Sequence, residues 1–369
     1  MLNLVIHGVD TTCDSIIESL DLNKIELTCF MDNDFNKLGK NYRGINIISP
    51  KDIIRFKFDY IIISCSRYKE VYEQLLEMGV QSEQILAPFY INEAKNIFNR
   101  LNNNYQSFTT GISYASYGIN FNKLKLNTAN LAMESQDIFF DYLMAKHFLS
   151  KNELSVNVKY AIIGLAYYSF EYDMLSSDMA LLSLKYDFLE DQIKQECEQI
   201  WCKMQEIKKT LPDIEVSINI YKDILDKDFI RSVPDDNVVN RLSNTKIVNS
   251  LRMKEIRKEL AEKHSIKNYP KTVANNINIL DNYLRMLQDK HIKPIILIHP
   301  QHPDYRKYYN YSAINHFDEI IKQLNEKHDF RYLNLFASNL FNDDDYLDED
   351  HLSKSGADKV SDILNTYFD

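Results

Sequence analysis

Glycine is scarce in this chain, with only eight among 369 residues. The scarcity matters most after the first predicted strand, where a dinucleotide-binding fold places the glycines of G-x-G-x-x-G so that the backbone can approach a pyrophosphate. The stretch HGVDTTCDS at this place contains only Gly8. The missing glycines argue against nucleotide or nucleotide-sugar binding here, although a helix N-terminus is still able to hold an anion.

Long apolar runs and an excess of basic residues are also missing. The longest apolar runs, YIIISC and PIILIHP, have the length of strands and not of membrane spans. The start MLNLVIHGVD lacks the basic region and apolar region of a signal peptide. The formal net charge is -10, which argues against a general nucleic-acid-binding protein. We therefore predict a soluble, cytoplasmic protein without a membrane span or a nucleic-acid partner.

Cysteines are few, odd in number and irregularly spaced, with five in the chain. Cys197 and Cys202 lie on a charged helical stretch, without a second Cys or His pair to complete a zinc site. We therefore predict reduced thiols and no metal site.

What the chain does have is an ordinary globular composition, 45% hydrophobic and 26% charged, over a length that favours two domains. Strands alternate with helical patterns over residues 1–88, which predicts parallel strands joined by right-handed crossovers. The polar, Asn-rich stretch INEAKNIFNRLNNNYQSF is the best boundary. We predict an α/β protein with one domain at 1–98 and another at 105–369.

The second domain again shows an α/β pattern. Its strands are predicted at the start of FTTGISYASYG and in VKYAIIGLAYYS, KPIILIHP and FRYLNLF. Between the second and third of these lies a long charged stretch, about 175–270, with amphipathic helical patterns. We interpret it as a helical insertion. Three roles are open for this insertion: it covers the active site, it mediates dimerisation into a homo-oligomer, or it forms a wall of the substrate site.

The first domain resembles the small Rossmann-like domain of bacterial sugar-modifying enzymes and polysaccharide-biosynthesis proteins. The residues that carry this resemblance are LVIHGVD, CFMDND, ISPKDI, DYIIIS and LLEMGV. It implies a cofactor site with Gly8 in the first turn and Asp32 where a ribose-binding acid would be. An ordinary turn explains Asp32 equally well, because Asp and Asn favour such positions.

Two short stretches at opposite ends of the second domain predict nucleophilic catalysis. Ser113, in TTGISYASYG, follows an apolar segment, and small neighbours permit the sharp turn that exposes a nucleophile. Asp348 and His351, in DEDHLSKSGADKV, lie three residues apart before the last predicted helix. This spacing lets Asp348 orient His351, which would accept the proton of Ser113. Each motif alone is common, and a serine that caps a helix is the alternative for Ser113.

From about residue 107 onward the chain resembles the SGNH/GDSL hydrolase family, in the branch associated with surface polysaccharides and acyl transfer. GISY resembles the first family block, with Ile112 where the family has Asp, and HLSKSGA matches the last block. The resemblance implies a three-layer α/β/α fold, Ser113 as the nucleophile, His351 as the general base and Asp348 as the residue that orients it.

The middle family blocks match less well. NLAMESQDIFFD in the place of the second block implies that the backbone N–H of Ser135 serves as an oxyanion donor, with Gly164 of IIGLAYYSF as a further donor. The family asparagine is absent there, since Ala166 and Tyr167 occupy the neighbourhood. Loss of one such donor costs about 10²–10³ in rate.

Several further residues are candidates for substrate binding, and each has a structural alternative. His299 and His302 follow a strand end and would border the pocket, or lie in a Pro-rich loop. The acidic run NDDDYLDEDH lacks the glycine and alternating ligands of a calcium loop, so it predicts a solvated loop. The predicted substrate-binding set is Tyr114, Gln136, Tyr168 and His302.

The sequence thus predicts serine-dependent acyl transfer, such as acetyl transfer, or ester hydrolysis on a sugar or surface-polysaccharide intermediate. No cofactor is required, and transfer would use an acyl donor such as acetyl-CoA. One rival is a non-catalytic protein that binds glycans or nucleotide-sugars, or acts as a scaffold, in polysaccharide biosynthesis. The other is a nucleotide-sugar-dependent transferase centred on the first domain.

Overall fold

The computed structural model describes the whole chain except Asp10, Ser66, Asn103, residues 226–250 and Asp369. The chain divides into two compact units. Unit 1 is Met1–Asn96 with Met179–Arg231, and unit 2 is Ile97–Asp178 with Ser232–Asp369. Each unit contains a five-stranded, mainly parallel sheet. The predicted α/β class is therefore confirmed.

The sheet of unit 1 has the strand order β3-β4-β2-β1-β5, and only the pair β3 and β4 is antiparallel. The sequence predicts strands in LNLVIHG, IELTCFMD, FDYIIISC and QILAP. The first three coincide with β1, β2 and β5, whereas QILAP contributes a single bridge, between Ile61 and Ile85. The apolar residues of β1 and β2 are buried because helices cover the sheet. The elements of the first segment are β1 (Leu2–His7), α1 (Thr11–Ser19), β2 (Ile25–Met31), β3 (Asn41–Tyr42), β4 (Ile45–Ile48), a 3₁₀ helix (Pro50–Arg55), β5 (Tyr60–Ile63) and α2 (Tyr68–Glu77).

The second segment of unit 1 is helical and packs on the first. The N–H of Ala87 donates to Ser217 Oγ over 2.9 Å, and Tyr221 donates its hydroxyl proton to the carbonyl of Ala87 over 2.5 Å. Tyr221 and Ile224 belong to the same buried cluster as the residues of β1 and α1. The helices of this segment are a 3₁₀ helix (Ala180–Leu189), α7 (Glu190–Glu196), α8 (Glu198–Lys208) and α9 (Ile214–Ile224).

Unit 2 has an all-parallel sheet in the order β10-β9-β8-β6-β7. Its strands are β6 (Ser107–Gly111), β7 (Thr128–Asn130), β8 (Tyr160–Leu165), β9 (Lys293–Ile298) and β10 (Arg331–Asn334). Every residue of β6 and β8 is buried, as expected of central parallel strands. Because the strands are parallel, their carboxyl ends lie at one edge, where ligands bind in open α/β sheets.

The helices of unit 2 complete the fold. The division between the units falls within α3. Among the described residues, no helix is both long enough and apolar enough to cross a membrane. The predicted insertion at 175–270 is shared between the two units, and its part at 226–250 lies outside the described residues. The helices are α3 (Glu93–Arg100), α4 (Ser113–Tyr117), α5 (Ile138–Ser150), α6 (Asn152–Ser155), α10 (Leu251–Ser265), α11 (Pro270–Asp289), α12 (Pro303–Arg306), α13 (Tyr311–Lys327) and α14 (Lys354–Leu364).

Candidate active site

Ser113 is placed by a tight turn between β6 and α4. Gly111, the last residue of β6, has φ +137°, a conformation that residues with a side chain rarely adopt. A Cβ atom at Gly111 would lie 2.4 Å from the carbonyl oxygen of Gly164, its partner on β8. The missing side chain therefore lets the chain turn directly against β8. Ser113 is the first residue of α4 and is partly exposed.

The structure brings Ser113, His351 and Asp348 together across 238 residues of sequence. His351 Nε2 lies 2.9 Å from Ser113 Oγ. His351 Nδ1 lies 3.1 Å from both carboxylate oxygens of Asp348. An Nδ1–H that donates to Asp348 leaves Nε2 as the acceptor for the serine proton. This arrangement has the connectivity of a serine–histidine–aspartate triad.

Asp348 is held by the backbone around it. Its Oδ1 accepts hydrogen bonds from the N–H groups of Asp350 and His351, over 3.0 and 2.8 Å. Arg257, which is fully buried, donates from Nη2 to the carbonyl oxygen of Asp348 over 3.0 Å. These bonds fix the loop before α14, so the carboxylate keeps its orientation toward the imidazole.

A second carboxylate, that of Asp350, also reaches the imidazole. Asp350 Oδ1 lies 3.1 Å from His351 Nδ1, the same distance as Asp348. Asp350 Oδ2 accepts a hydrogen bond from the hydroxyl of Tyr114 over 2.7 Å. The rings of Tyr114 and Tyr117 pack edge-on against the imidazole, with centroids 5.6 and 5.8 Å away. The imidazole thus lies between two acids and two aromatic rings.

These carboxylates raise the proton affinity of the imidazole. Burial alone would lower the pKa of His351, but the hydrogen bond to Asp348 and the charges of Asp350, Asp348 and Glu134 raise it to about 9. Burial alone would raise the pKa of Asp348, but the hydrogen bond to His351, the charge of His351 and the N–H groups of Asp350 and His351 together lower it to about 2. Burial raises the pKa of Asp350. The resting site at neutral pH therefore favours an imidazolium beside carboxylate.

The same three side chains offer donor atoms within 4.8 Å of one another, as a metal site would. Those of His351 and Asp348, however, already form the hydrogen bonds of the triad. A metal ion bound there would have to break these bonds. These hydrogen bonds thus account for the cluster without a metal ion.

The predicted oxyanion residues lie on elements next to Ser113. The loop after β7 is tied to the turn by the N–H of Met133, which donates to the carbonyl of Gly111 over 3.0 Å. Ser135 in this loop has φ +57°, and its carbonyl accepts the hydroxyl proton of Tyr172. Gly164 lies within β8, where its missing side chain makes room for Ala115, since a Cβ atom would be 2.4 Å from that of Ala115.

The position of the family asparagine is occupied by apolar packing. Ala166 is buried and forms a cluster with Ile112 and Tyr114, the two neighbours of Ser113, against which Tyr168 packs. The N–H of Ala166 donates to Ser169 Oγ over 2.8 Å, so this turn is closed internally. Ala166 therefore brings no polar side chain to this side of the site.

Tyr168 lines two concave regions of unit 2. One is a narrow cavity that Tyr114 and His299 also line. His299 is buried, neither of its ring nitrogens has a hydrogen-bond partner among the described residues, and burial lowers its pKa to about 3. The other is a groove of about 430 Å³, where Lys267 Nζ lies 4.6 Å from the centre of the Tyr168 ring.

Two predicted substrate-binding residues have partners inside the fold. Gln136 is fully buried, and its amide nitrogen donates to Leu131 and Asp141. His302 is buried at the start of α12, where Nδ1 accepts from the N–H of Asp304 and Nε2 lies 3.1 Å from Asp343 Oδ1. Both side chains therefore have hydrogen-bond partners within the fold, and their role in substrate binding stays a prediction.

The two cofactor candidates of unit 1, Gly8 and Asp32, also have close contacts within the fold. Gly8 has φ +100°, and a Cβ atom there would lie 2.7 Å from Ser64 Oγ, so glycine is required for packing. Asp32 is buried, and its carboxylate accepts from the N–H of Val9 and bonds to Lys37 Nζ over 2.8 Å. These two contacts use Oδ2, the N–H of Asp34 donates to Oδ1 over 2.8 Å, and together they close the turn after β1.

The chain has few similarities to known proteins. Residues 1–86 match the family described as C2185-like, N-terminal. No curated protein matches the chain. One solved structure, titled as a "putative acylhydrolase" from Bacteroides fragilis, covers 74% of this chain and 92% of its own, with 9% identity and a TM-score of 0.34. A likeness this low carries no argument about the activity of this chain.

Sequence reasoning missed the second acid of the site, Asp350. The run DEDH contains the signal, since it places three acids directly before His351. Spacing alone cannot tell which of them reaches the imidazole. It predicted a substrate contact for Tyr114, whose hydroxyl is bonded to Asp350 and which lines the narrow cavity.

Proposed function

We propose that this protein is a serine-dependent acyl-transfer enzyme of SGNH type, an esterase or an O-acyltransferase. The observation that carries the proposal is the continuous chain of contacts from Ser113 Oγ to His351 Nε2 (2.9 Å) and from His351 Nδ1 to Asp348 (3.1 Å). Ser113 is partly exposed at the edge where the carboxyl ends of the strands meet. A reactive serine needs all of these features.

The first half of the reaction forms an ester on the enzyme. Ser113 Oγ attacks the acyl carbonyl while His351 Nε2 takes the hydroxyl proton, and Asp348 stabilises the imidazolium. The oxyanion lies near the first N–H groups of α4, which have no acceptor within their helix, and near the loop of Ser135. His351 then returns the proton to the leaving group, an alkoxide from an ester or a thiolate from a thioester such as acetyl-CoA, as the bond between the acyl carbon and that group breaks.

The second half releases the acyl group. Water or a sugar hydroxyl attacks the ester carbonyl, gives its proton to His351, and Ser113 leaves with that proton. Water as the acceptor gives hydrolysis, and a sugar gives transfer. The proposed substrate is an acylated or acyl-accepting sugar of a surface polysaccharide, with a donor such as acetyl-CoA in the case of transfer. This choice rests on the family resemblance of both domains.

A second candidate is a non-catalytic glycan-binding or scaffolding protein. Ala166 favours it, because this buried residue brings no donor to the oxyanion where the family has asparagine. In that case the contacts among Ser113, His351 and Asp348 would persist without turnover.

Labelling with a fluorophosphonate distinguishes these two proposals, because the probe reacts only with an activated serine. We expect wild type to be labelled, Ser113→Ala to be unlabelled, and Ser116→Ala to be labelled like wild type. Ser116 is the matched control, since it lies on the same helix and is buried. Equal labelling of wild type and Ser113→Ala would remove Ser113 as the nucleophile.

A further inference from the structure

The imidazole of His351 has two carboxylate partners on one nitrogen. Asp348 and Asp350 each lie 3.1 Å from Nδ1, which carries one hydrogen. We propose that Asp350 is a positioning residue that sets the proton affinity of His351, while Asp348 sets the orientation of the ring. This inference rests on the proposed function, in which His351 must be neutral to accept the proton of Ser113.

The place of Asp350 is built into the site. Its side chain is only 12% exposed, and a carboxylate withdrawn from water needs compensating partners. Tyr114 supplies one through its hydroxyl, and His351 supplies the other. Tyr114 directly follows Ser113 and Asp350 directly precedes His351. The hydrogen bond between them therefore links the segment of the nucleophile to the segment of the base.

Other charged groups face His351 from the surrounding elements. Glu134 comes from the loop after β7, Glu349 from the loop before α14, and His299, which is neutral, from the end of β9. Among the described residues, only Asp348 and Asp350 approach Nδ1 within ion-pair distance. The hydrogen bond of Nδ1 goes to Asp348, whereas Asp350 acts on the imidazole as a charge at ion-pair distance, 3.1 Å from Nδ1.

The two acids should then respond differently to the same substitution. Asp350→Asn removes a charge that favours the imidazolium, so the pKa of His351 falls by about one unit or more. More of the imidazole is neutral at pH 7, and kcat/KM there rises about tenfold for each unit. Asp348→Asn removes the group that orients the ring, so kcat/KM falls at every pH, by about 10⁴.

The decisive measurement is the titration of His351 by NMR, in wild type, Asp350→Asn and Glu349→Gln. We expect a pKa near 9 in wild type, a clear fall in Asp350→Asn, and a smaller change in Glu349→Gln, which removes the same charge from the same loop. Asp350→Glu should restore the high value. In a plot of kcat/KM for p-nitrophenyl acetate hydrolysis against pH, the rise in activity should occur at a lower pH in Asp350→Asn than in wild type.

Two results would overturn the inference. One is an unchanged titration of His351 in Asp350→Asn, and the other is a wild-type pKa at or below the ordinary 6.5. The second requires no variant, so it applies even if Asp350→Asn fails to fold. Failure of the proposed function looks different, because it would abolish labelling of Ser113 and leave the titration of His351 as expected.

Discussion

The hydroxyl of Tyr114 donates to the carboxylate of Asp350 over 2.7 Å, although 236 residues separate them. Tyr114→Phe removes this donor and leaves a mostly buried carboxylate short of one partner. We expect a loss of about 1–3 kcal/mol in the free energy of unfolding, measured by denaturant titration. Tyr117→Phe is the control, because Tyr117 donates to Glu134 at an exposed position and should cost less. Equal losses of unfolding free energy in the two variants would show that the hydrogen bond of Tyr114 stabilises the protein no more than the exposed one of Tyr117.

Activity should rise as the pH increases. The general base must be neutral, and the pKa of His351 is raised to about 9. We therefore expect kcat/KM for an ester to climb from pH 6 to about pH 9 and then level off. A rise in kcat/KM centred near pH 6.5 would contradict the high proton affinity of this imidazole. The measurement requires a substrate that does not ionise over the range.

Stability should change in the opposite direction over the same range. The folded pKa of His351 lies above its ordinary 6.5, so protonation stabilises the folded state below pH 6.5, and this contribution is lost as the pH rises through about 9. The folded pKa of Asp348 is lowered, so its contribution is present above pH 3.8 and lost as the pH falls toward about 2. Thermal unfolding of wild type and His351→Gln across pH 6–10 measures the first effect, and parallel curves would count against it.

Gly164 should tolerate no side chain unless Ala115 is reduced at the same time. A Cβ atom at Gly164 would lie 2.4 Å from Ala115 Cβ, far inside contact distance. We expect Gly164→Ala to destabilise the protein by about 1–3 kcal/mol and to weaken labelling of Ser113. Adding Ala115→Gly should recover part of the loss, and additive effects of the two changes would contradict this contact.

Asp32 should matter for the fold of unit 1. Its carboxylate accepts from the N–H of Val9 and pairs with Lys37. We expect Asp32→Ala to destabilise the protein by about 1–3 kcal/mol.

In a thermal-shift screen, nucleotides and nucleotide-sugars should leave the melting temperature of wild type unchanged. A clear stabilisation by any of them would instead support the transferase centred on the first domain.

The sequence predicted strands well where a long apolar run marks a strand buried on both faces. Runs of buried apolar residues predicted β1, β8 and β9, because strands in the centre of a parallel sheet are apolar on both faces. The short edge strands β3 and β7 were missed, since two or three residues give no periodicity.

The candidate site shows the same limit. Ser113, Asp348 and His351 were named because their chemistry requires particular residue types at particular spacings, and the structure brings them together. Their catalytic roles remain predictions. Gln136 was named from the stretch that resembles the second family block, and His302 because it follows a predicted strand. Side-chain direction and burial, which give both residues internal partners, depend on packing that no spacing reveals.

Unit 1 is assembled from two distant stretches of chain, and this has a consequence for biosynthesis. Tyr221 and Ile224 complete a core that begins at β1, and the carbonyl of Ile224 accepts from the N–H of Asp21 over 2.9 Å. On the ribosome, the N-terminal residues must therefore wait while β6, β7 and β8 of the other unit emerge. A nascent chain halted at residue 98 should stay open to protease, whereas one halted after the tunnel has released residue 225 should become resistant.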